Sequence, residues 1–161
     1  MGSLTSAISH DAQTPDSTAE LDCKQDDPCL RDQLHQHCII CSQENPYSLQ
    51  MRCTLNEDGS VSGTFSPKSH LRGYTNQLHG GVVTALLDSA MAQCLLLNKI
   101  HAVTATLDVR FRNPAPLSGT YTVTAQCVES RRTVHRMSAQ VVSGDGVVLA
   151  TAKSQFVQVA S

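Results

Sequence analysis

Apolar residues change their rhythm several times along this 161-residue chain, and each change marks an element. In "YSLQMRCTL" (47–55) Leu49, Met51, Cys53 and Leu55 fall on alternate positions, the period of a strand with one buried face. "NEDG" then supplies a hairpin turn into a second antiparallel strand, "SVSGTFS". Residues 67–78, "PKSHLRGYTNQL", combine Pro, Gly, Asn and Ser without period and predict a loop. From Gly80 to about Asn98 the chain is apolar on nearly every side, which predicts a buried helix. Alternation returns in "HAVTATLDVRFRNP", with Val103, Ala105, Leu107, Val109 and Phe111 set against Thr104, Thr106, Asp108, Arg110 and Arg112. Three further strands, "GTYTVTAQCVES", "TVHRMSAQVVS" and "VVLATAKSQFVQV", are separated by turn-forming "SRR" and "SGDG".

A helix this apolar must be covered, and six strands are available to cover it. The order strand, strand, helix, four strands predicts an α+β domain in which an antiparallel sheet of about six strands wraps a long central helix, the hotdog architecture. The domain is expected to span residues 34–161. Residues 1–33 are rich in Ser, Thr, Asp and Gln and lack periodicity, so they predict a disordered acidic tail. Residues 1–32 carry seven acids against Lys24 and Arg31, a net −5, which leaves +3 on the rest.

Composition narrows the function classes. A formal charge of −2 calls for neither nucleic acid nor a membrane surface. The run Gly80–Leu97 is nearly long enough to span a bilayer, but Asp88 at its centre would cost about 2.5–3.5 kcal/mol there, so a core helix is expected. No Lys or Arg precedes Lys24, which argues against secretory and transit sequences and gives a cytoplasmic expectation. Seven cysteines, an odd number with two inside apolar elements, suit reduced thiols. "HQHCIIC" offers His35, His37, Cys38 and Cys41 as metal donors. No second C-x-x-C or H-x₃-H pair follows, so the cysteines are read as semi-buried residues opening the domain and no metal is assigned.

Chemistry concentrates in "QLHGGVVTALLDSAM". Asp88 is a lone carboxylate in an apolar helix, and Gly81 lies seven residues before it, two turns along the same face. The glycines at the helix start permit a close approach to unsatisfied N–H groups carrying partial positive charge.

The pattern His79-Gly80-Gly81 with Asp88 nine residues after the histidine resembles the signature of hotdog-fold thioesterases of the phenylacetate-pathway type. The similarity extends through "AVTATLDVRFRNPAPLSG" and covers roughly residues 38–158; "CIICSQENPYSLQM" is similar to the start of some members. The resemblance implies that the Gly80 N–H polarises the thioester carbonyl and that Asp88 is either general base or nucleophile. It further implies that Thr104 helps orient water or carboxylate, while His79 fixes the loop into the helix. Gly81 is expected to line the substrate site. Many relatives carry Asn or Gln six residues before the histidine, where this chain has Gly73, leaving Asn76 and Gln77, or His70 or Arg72, as substitutes. Arg131 and Arg132, with Arg110, Arg112 and Arg136, make a basic group that suits coenzyme A or phosphopantetheine phosphates and, equally, a solvated charged hairpin. No cofactor is implied. The expected substrate is an acyl-CoA, with a carrier-bound acyl or polyketide thioester, or acyl-CoA binding without catalysis, as alternatives. The resemblance also implies a homodimer or homotetramer with shared active sites.

Overall fold

In the computed structural model, which describes residues 29–159, the apolar run forms helix α2, Gly80–Leu97. Ala, Leu, Met and Gln supply helix propensity, and both ends are capped. At the start, the His79 side chain accepts a hydrogen bond from the Gly81 N–H. At the end, Lys99 takes a left-handed φ of 62°, the Lys99 N–H donates to the Leu96 carbonyl and the Ile100 N–H to the Leu95 carbonyl. That pairing is a Schellman closure built without glycine. Leu86, Leu87, Met91 and Leu95 are almost wholly excluded from water, each contributing about 1.5–3 kcal/mol. Burial is not all round, however. Gly81 is exposed, and Thr84, Ala85, Asp88 and Ala92 are half-buried, so a narrow stripe of small residues and one carboxylate runs along the outward side of the helix.

Six antiparallel strands cover the rest: β1 (Cys53–Leu55), β2 (Val61–Phe65), β3 (Ala102–Phe111), β4 (Tyr121–Arg131), β5 (Val134–Ser143) and β6 (Val148–Gln158), in the order β1-β2-β4-β5-β6-β3. Tyr121, Val123, Met137, Val141, Ala150 and Phe156 point from this sheet into a single core with α2. This is the expected hotdog fold. The first strand is shorter than the alternation of 47–55 predicts, because Gln50 adopts a φ of 57° and breaks the extended run. Leu49 and Met51 instead donate their N–H groups to the carbonyls of Ile39 and Ile40.

Strand β3 departs from its simple alternation in a way that matters for the site. Thr104 pairs with Phe156 but Thr106 pairs with Gln155, so Ala105 is an extra residue in the ladder. The shift changes which parity faces the helix: Thr104 before it, Leu107 and Val109 after it. Val103 and Ala105, expected on the buried face, are consequently exposed.

The N-terminal boundary also needs correction. Residues 1–28 of the expected tail lie outside the described residues, but Cys29–Leu34 forms a short helix, α1. Its Arg31 is buried and donates to the Cys53 carbonyl at 2.7 Å. From the other side Gln93 of α2, fully buried, accepts the Cys53 N–H at 2.9 Å and donates to the Met51 carbonyl at 3.1 Å. One amide side chain thus substitutes for strand pairing where the sheet edge meets the helix. Gln93→Ala is expected to leave the Cys53 N–H and Met51 carbonyl without these partners and to lower stability by about 2–4 kcal/mol. Urea unfolding checks this; a change below about 1 kcal/mol would mean the clasp adds little beyond packing.

Candidate functional site

The two ends of the expected chemistry lie on one helix but in different surroundings. At its start, Gly80 is the first helical residue, so its N–H has no intrahelical acceptor. The Phe111 ring, at the end of β3, lies over it: a Cβ on Gly80 would stand 3.4 Å from the ring edge. Gly81 is bound closely by its own cap, since a Cβ there would fall 2.9 Å from His79 Nδ1. His79 therefore acts as an N-cap, as the sequence suggests, and the loop before it is shaped around it.

Gly73 is part of that shaping. A Cβ at this position would lie 3.1 Å from His79 Cα, so the side chain expected from many relatives would crowd the cap as the loop now stands. The loop closes through the Gly73 N–H donating to the Gln77 carbonyl and the His79 N–H donating to the Leu71 carbonyl. Asn76 is exposed with a φ of 61°, and its carbonyl accepts from the Leu117 N–H. Gln77, half-buried, bridges to Pro116. These residues share the helix start with Gly80 and Gly81.

Two turns along, Thr104 Oγ1 donates a 2.8 Å hydrogen bond to Asp88 Oδ1. The carboxylate is half-buried rather than enclosed, because it sits on the outward stripe of α2 beside edge strand β3. One of its oxygens is held by Thr104, and the group keeps access to solvent. The shift at Ala105 turns Thr104, itself exposed, toward the outward stripe of α2 and thereby creates this pair. Along α2, Gly80 and Asp88 are separated by eight residues, about 12 Å of helix rise.

The basic group divides. Sheet register aligns Ser130, His135, Phe156 and Thr104 in one row, and Arg131 stands one row beyond. Arg131 is thus three strand spacings from β3, roughly 14 Å. It is paired with Glu129 at 2.5 Å, and Arg136 joins the same carboxylate at 2.8 Å. Arg132 is exposed in the β4–β5 turn. Arg110 and Arg112 lie at the opposite end of β3, near Phe111. They line an open concavity of about 630 Å³ on the sheet face away from α2, with Asp108, Gln126, Gln140 and Lys153. Neither Asp88, Thr104 nor Gly80 borders it, so it is separate from the helix chemistry.

One feature was not singled out in the sequence. Phe111, 57% exposed and set over Gly80, is hidden in the alternation of β3. Three of the four donors offered by "HQHCIIC" do come together, in a cluster before β1. His35, Cys38 and Cys41 each offer a ligand atom, and all three lie within 4.8 Å of one another. Burial, with the neighbouring Cys38, pushes the Cys41 thiol up to about 12, and burial, then the Arg31 charge, lowers the pKa of His35. The five cysteines whose side chains are described are free of disulfides.

The thioesterase superfamily model matches residues 76–150, the stretch from the loop before His79 into β6. Against curated proteins the sequence finds no match. Among solved structures, a thioesterase superfamily protein superposes with a TM-score of 0.73 at 25% identity; the match covers 76% of this chain and 63% of that one, under two thirds of its length. The phenylacetic acid degradation protein PaaI of E. coli gives 0.66 at 18% identity, over 70% of this chain and 82% of that one. A hypothetical thioesterase protein of Streptococcus pneumoniae TIGR4, crystallised with coenzyme A, gives 0.65 at 19% identity, over 69% and 90%.

The cap geometry gives a test independent of chemistry. Ala is the better helix former, but at position 81 its methyl would displace the His79 ring from the cap, which is worth about 1 kcal/mol. Gly81→Ala is therefore expected to be near neutral in the native background and stabilising by about 0.5–1 kcal/mol in His79→Ala. Additive effects in thermal unfolding would show that the ring yields without losing its bond.

Proposed function

We propose that this hotdog-fold chain, matched by the thioesterase superfamily over residues 76–150, hydrolyses acyl thioesters and that its substrate is an acyl-CoA. The observation that carries this reading is the Asp88–Thr104 pair on the outward stripe of an otherwise apolar helix. A carboxylate in such a helix is costly unless it has partners or a use, and here one oxygen is held while the other stays available. The pneumococcal protein adds support: besides its coenzyme A complex, it has been crystallised with an aspartate and, sixteen positions later, a threonine each replaced by alanine. Asp88 and Thr104 are separated by the same sixteen positions.

In the proposed reaction the thioester carbonyl oxygen accepts the Gly80 N–H at the positive end of α2, where negative charge develops as the carbon becomes tetrahedral. Asp88, positioned by Thr104, either takes a proton from the attacking water or attacks the carbon itself to give an anhydride that water then opens. The carbon–sulfur bond breaks, the sulfur leaves as the thiol after taking up a proton, and the acid is released. His79 holds the helix start, Gly81 and the loop at Asn76 and Gln77 border the acyl group, and Arg131 and Arg132 face the coenzyme's phosphates. Asp88→Asn, nearly isosteric, is expected to lower kcat on acyl-CoA by about 10²-fold or more with the fold intact. Near-native kcat in a folded variant would remove Asp88 from the chemistry, and coenzyme A binding without turnover in the native chain would make it a ligand-binding hotdog protein.

The separation of Gly80 from Asp88 requires a second subunit in this reading. Groups about 12 Å apart cannot flank one carbonyl carbon, whereas two antiparallel α2 helices across a two-fold axis bring the start of one beside the carboxylate of the other. An edge strand β3 with Val103 half-exposed, next to a helix stripe of small side chains, suits such a homodimer, and further pairing to a tetramer is compatible with it. Mixing Asp88→Ala with Gly80→Val subunits, each inactive alone, is then expected to restore roughly a quarter of native activity, because half the dimers are mixed and each mixed dimer has one intact site. Demonstrated subunit exchange without recovery would refute a shared site.

A further inference from the structure

The cluster before β1 is independent of the thioester chemistry and has the makings of a ligand site. His35 closes the turn after α1, Cys38 and Cys41 follow at C-x-x-C spacing, and His35 Nδ1 lies 3.2 Å from Cys41 Sγ. Two nitrogen- or sulfur-bearing side chains in contact are common; three on one short turn, with ligand atoms inside 4.8 Å, are a donor set. Tetrahedral zinc with bonds of about 2.0–2.3 Å separates its ligand atoms by roughly 3.3–3.8 Å, so closing this set takes about an ångström of side-chain adjustment. Cys38, half-buried, has freedom to make it.

The backbone is arranged to receive charge on sulfur. The Ile40 N–H donates to Cys38 Sγ across 3.4 Å. A dithiol exchange couple is the competing use of a C-x-x-C pair, but it uses the two sulfurs alone, whereas here His35 Nδ1 lies 3.2 Å from Cys41 Sγ and completes a set of three donors. Coordination deprotonates a thiol outright, so the burial of Cys41 is compatible with a metal.

We propose that His35, Cys38 and Cys41 bind one zinc ion, through Nδ1 and two Sγ atoms, with an exchangeable fourth ligand. Two thiolates neutralise the dication, and the imidazole binds in its neutral form. The site's work is structural. The Ile39 and Ile40 carbonyls between the cysteines accept the Leu49 and Met51 N–H groups, so a metal fixing this turn also fixes the strand that Gln93 holds from the helix.

The test uses the full chain, reduced and free of metal, titrated anaerobically with Co²⁺. Saturation at one equivalent is expected, with thiolate-to-cobalt charge-transfer absorption and intense tetrahedral visible bands, both displaced by Zn²⁺. Cys38→Ser and His35→Ala should each weaken binding by more than about 100-fold, while Cys127→Ser, an exposed position on β4, should bind as the native chain does. Zinc should also raise the melting temperature of the native chain and not of Cys38→Ser. A folded native chain with no charge-transfer band overturns the proposal. So does a band that persists undiminished in both variants, which would place the metal on other sulfurs such as Cys23. Thioesterase activity does not enter any of these readouts, so the proposed function stands or falls separately.

Discussion

The structure depends on covering one helix. Helix α2 presents too much apolar surface to face water, and a single antiparallel sheet curling over it is the means this chain uses. Everything polar on α2 must then be either satisfied within the cover or placed at its margin. Gln93 is the first case, spending its amide on the backbone of residues 51 and 53. Asp88 is the second, left on the stripe that the sheet does not reach and tied to the edge strand by Thr104. The two side chains lie only five positions apart, and the difference in their settings comes from which side of the helix each occupies.

That division explains what was legible in the sequence. The helix limits, the last four strands and the His79-Gly80-Gly81 start depend on local signals: apolar period, turn residues and a cap with glycines behind it. The first strand is shorter than its pattern implies because alternation from Leu49 to Leu55 continues across Gln50, whose left-handed backbone leaves no mark on the pattern of apolar residues. Helix α1 fell inside the expected tail because six residues are too few to show a period, and its anchor, Arg31, is a charge that composition assigns to solvent.

The candidate site was read unevenly for a related reason. Asp88 stands out because it conflicts with its neighbours. Thr104 and Phe111 agree with theirs, so nothing in β3 distinguishes a threonine that meets a carboxylate from one that meets water. The cluster of His35, Cys38 and Cys41 was weighed as half of a metal motif lacking its other half. Spacing alone does not reveal that one turn can bring three donors together, nor that Gly73 was left without a side chain to make room for His79.

The extra residue at Ala105 has a consequence beyond the pair it creates. Strand β3 ends the sheet, and an edge strand with an uninterrupted row of N–H and C=O groups is a template on which other chains can add without limit. An irregularity in the row restricts pairing to strands whose spacing accommodates it. The residue that turns Thr104 toward Asp88 therefore also limits the company this edge can keep, making colloidal behaviour at high concentration and the geometry beside the carboxylate products of one local distortion.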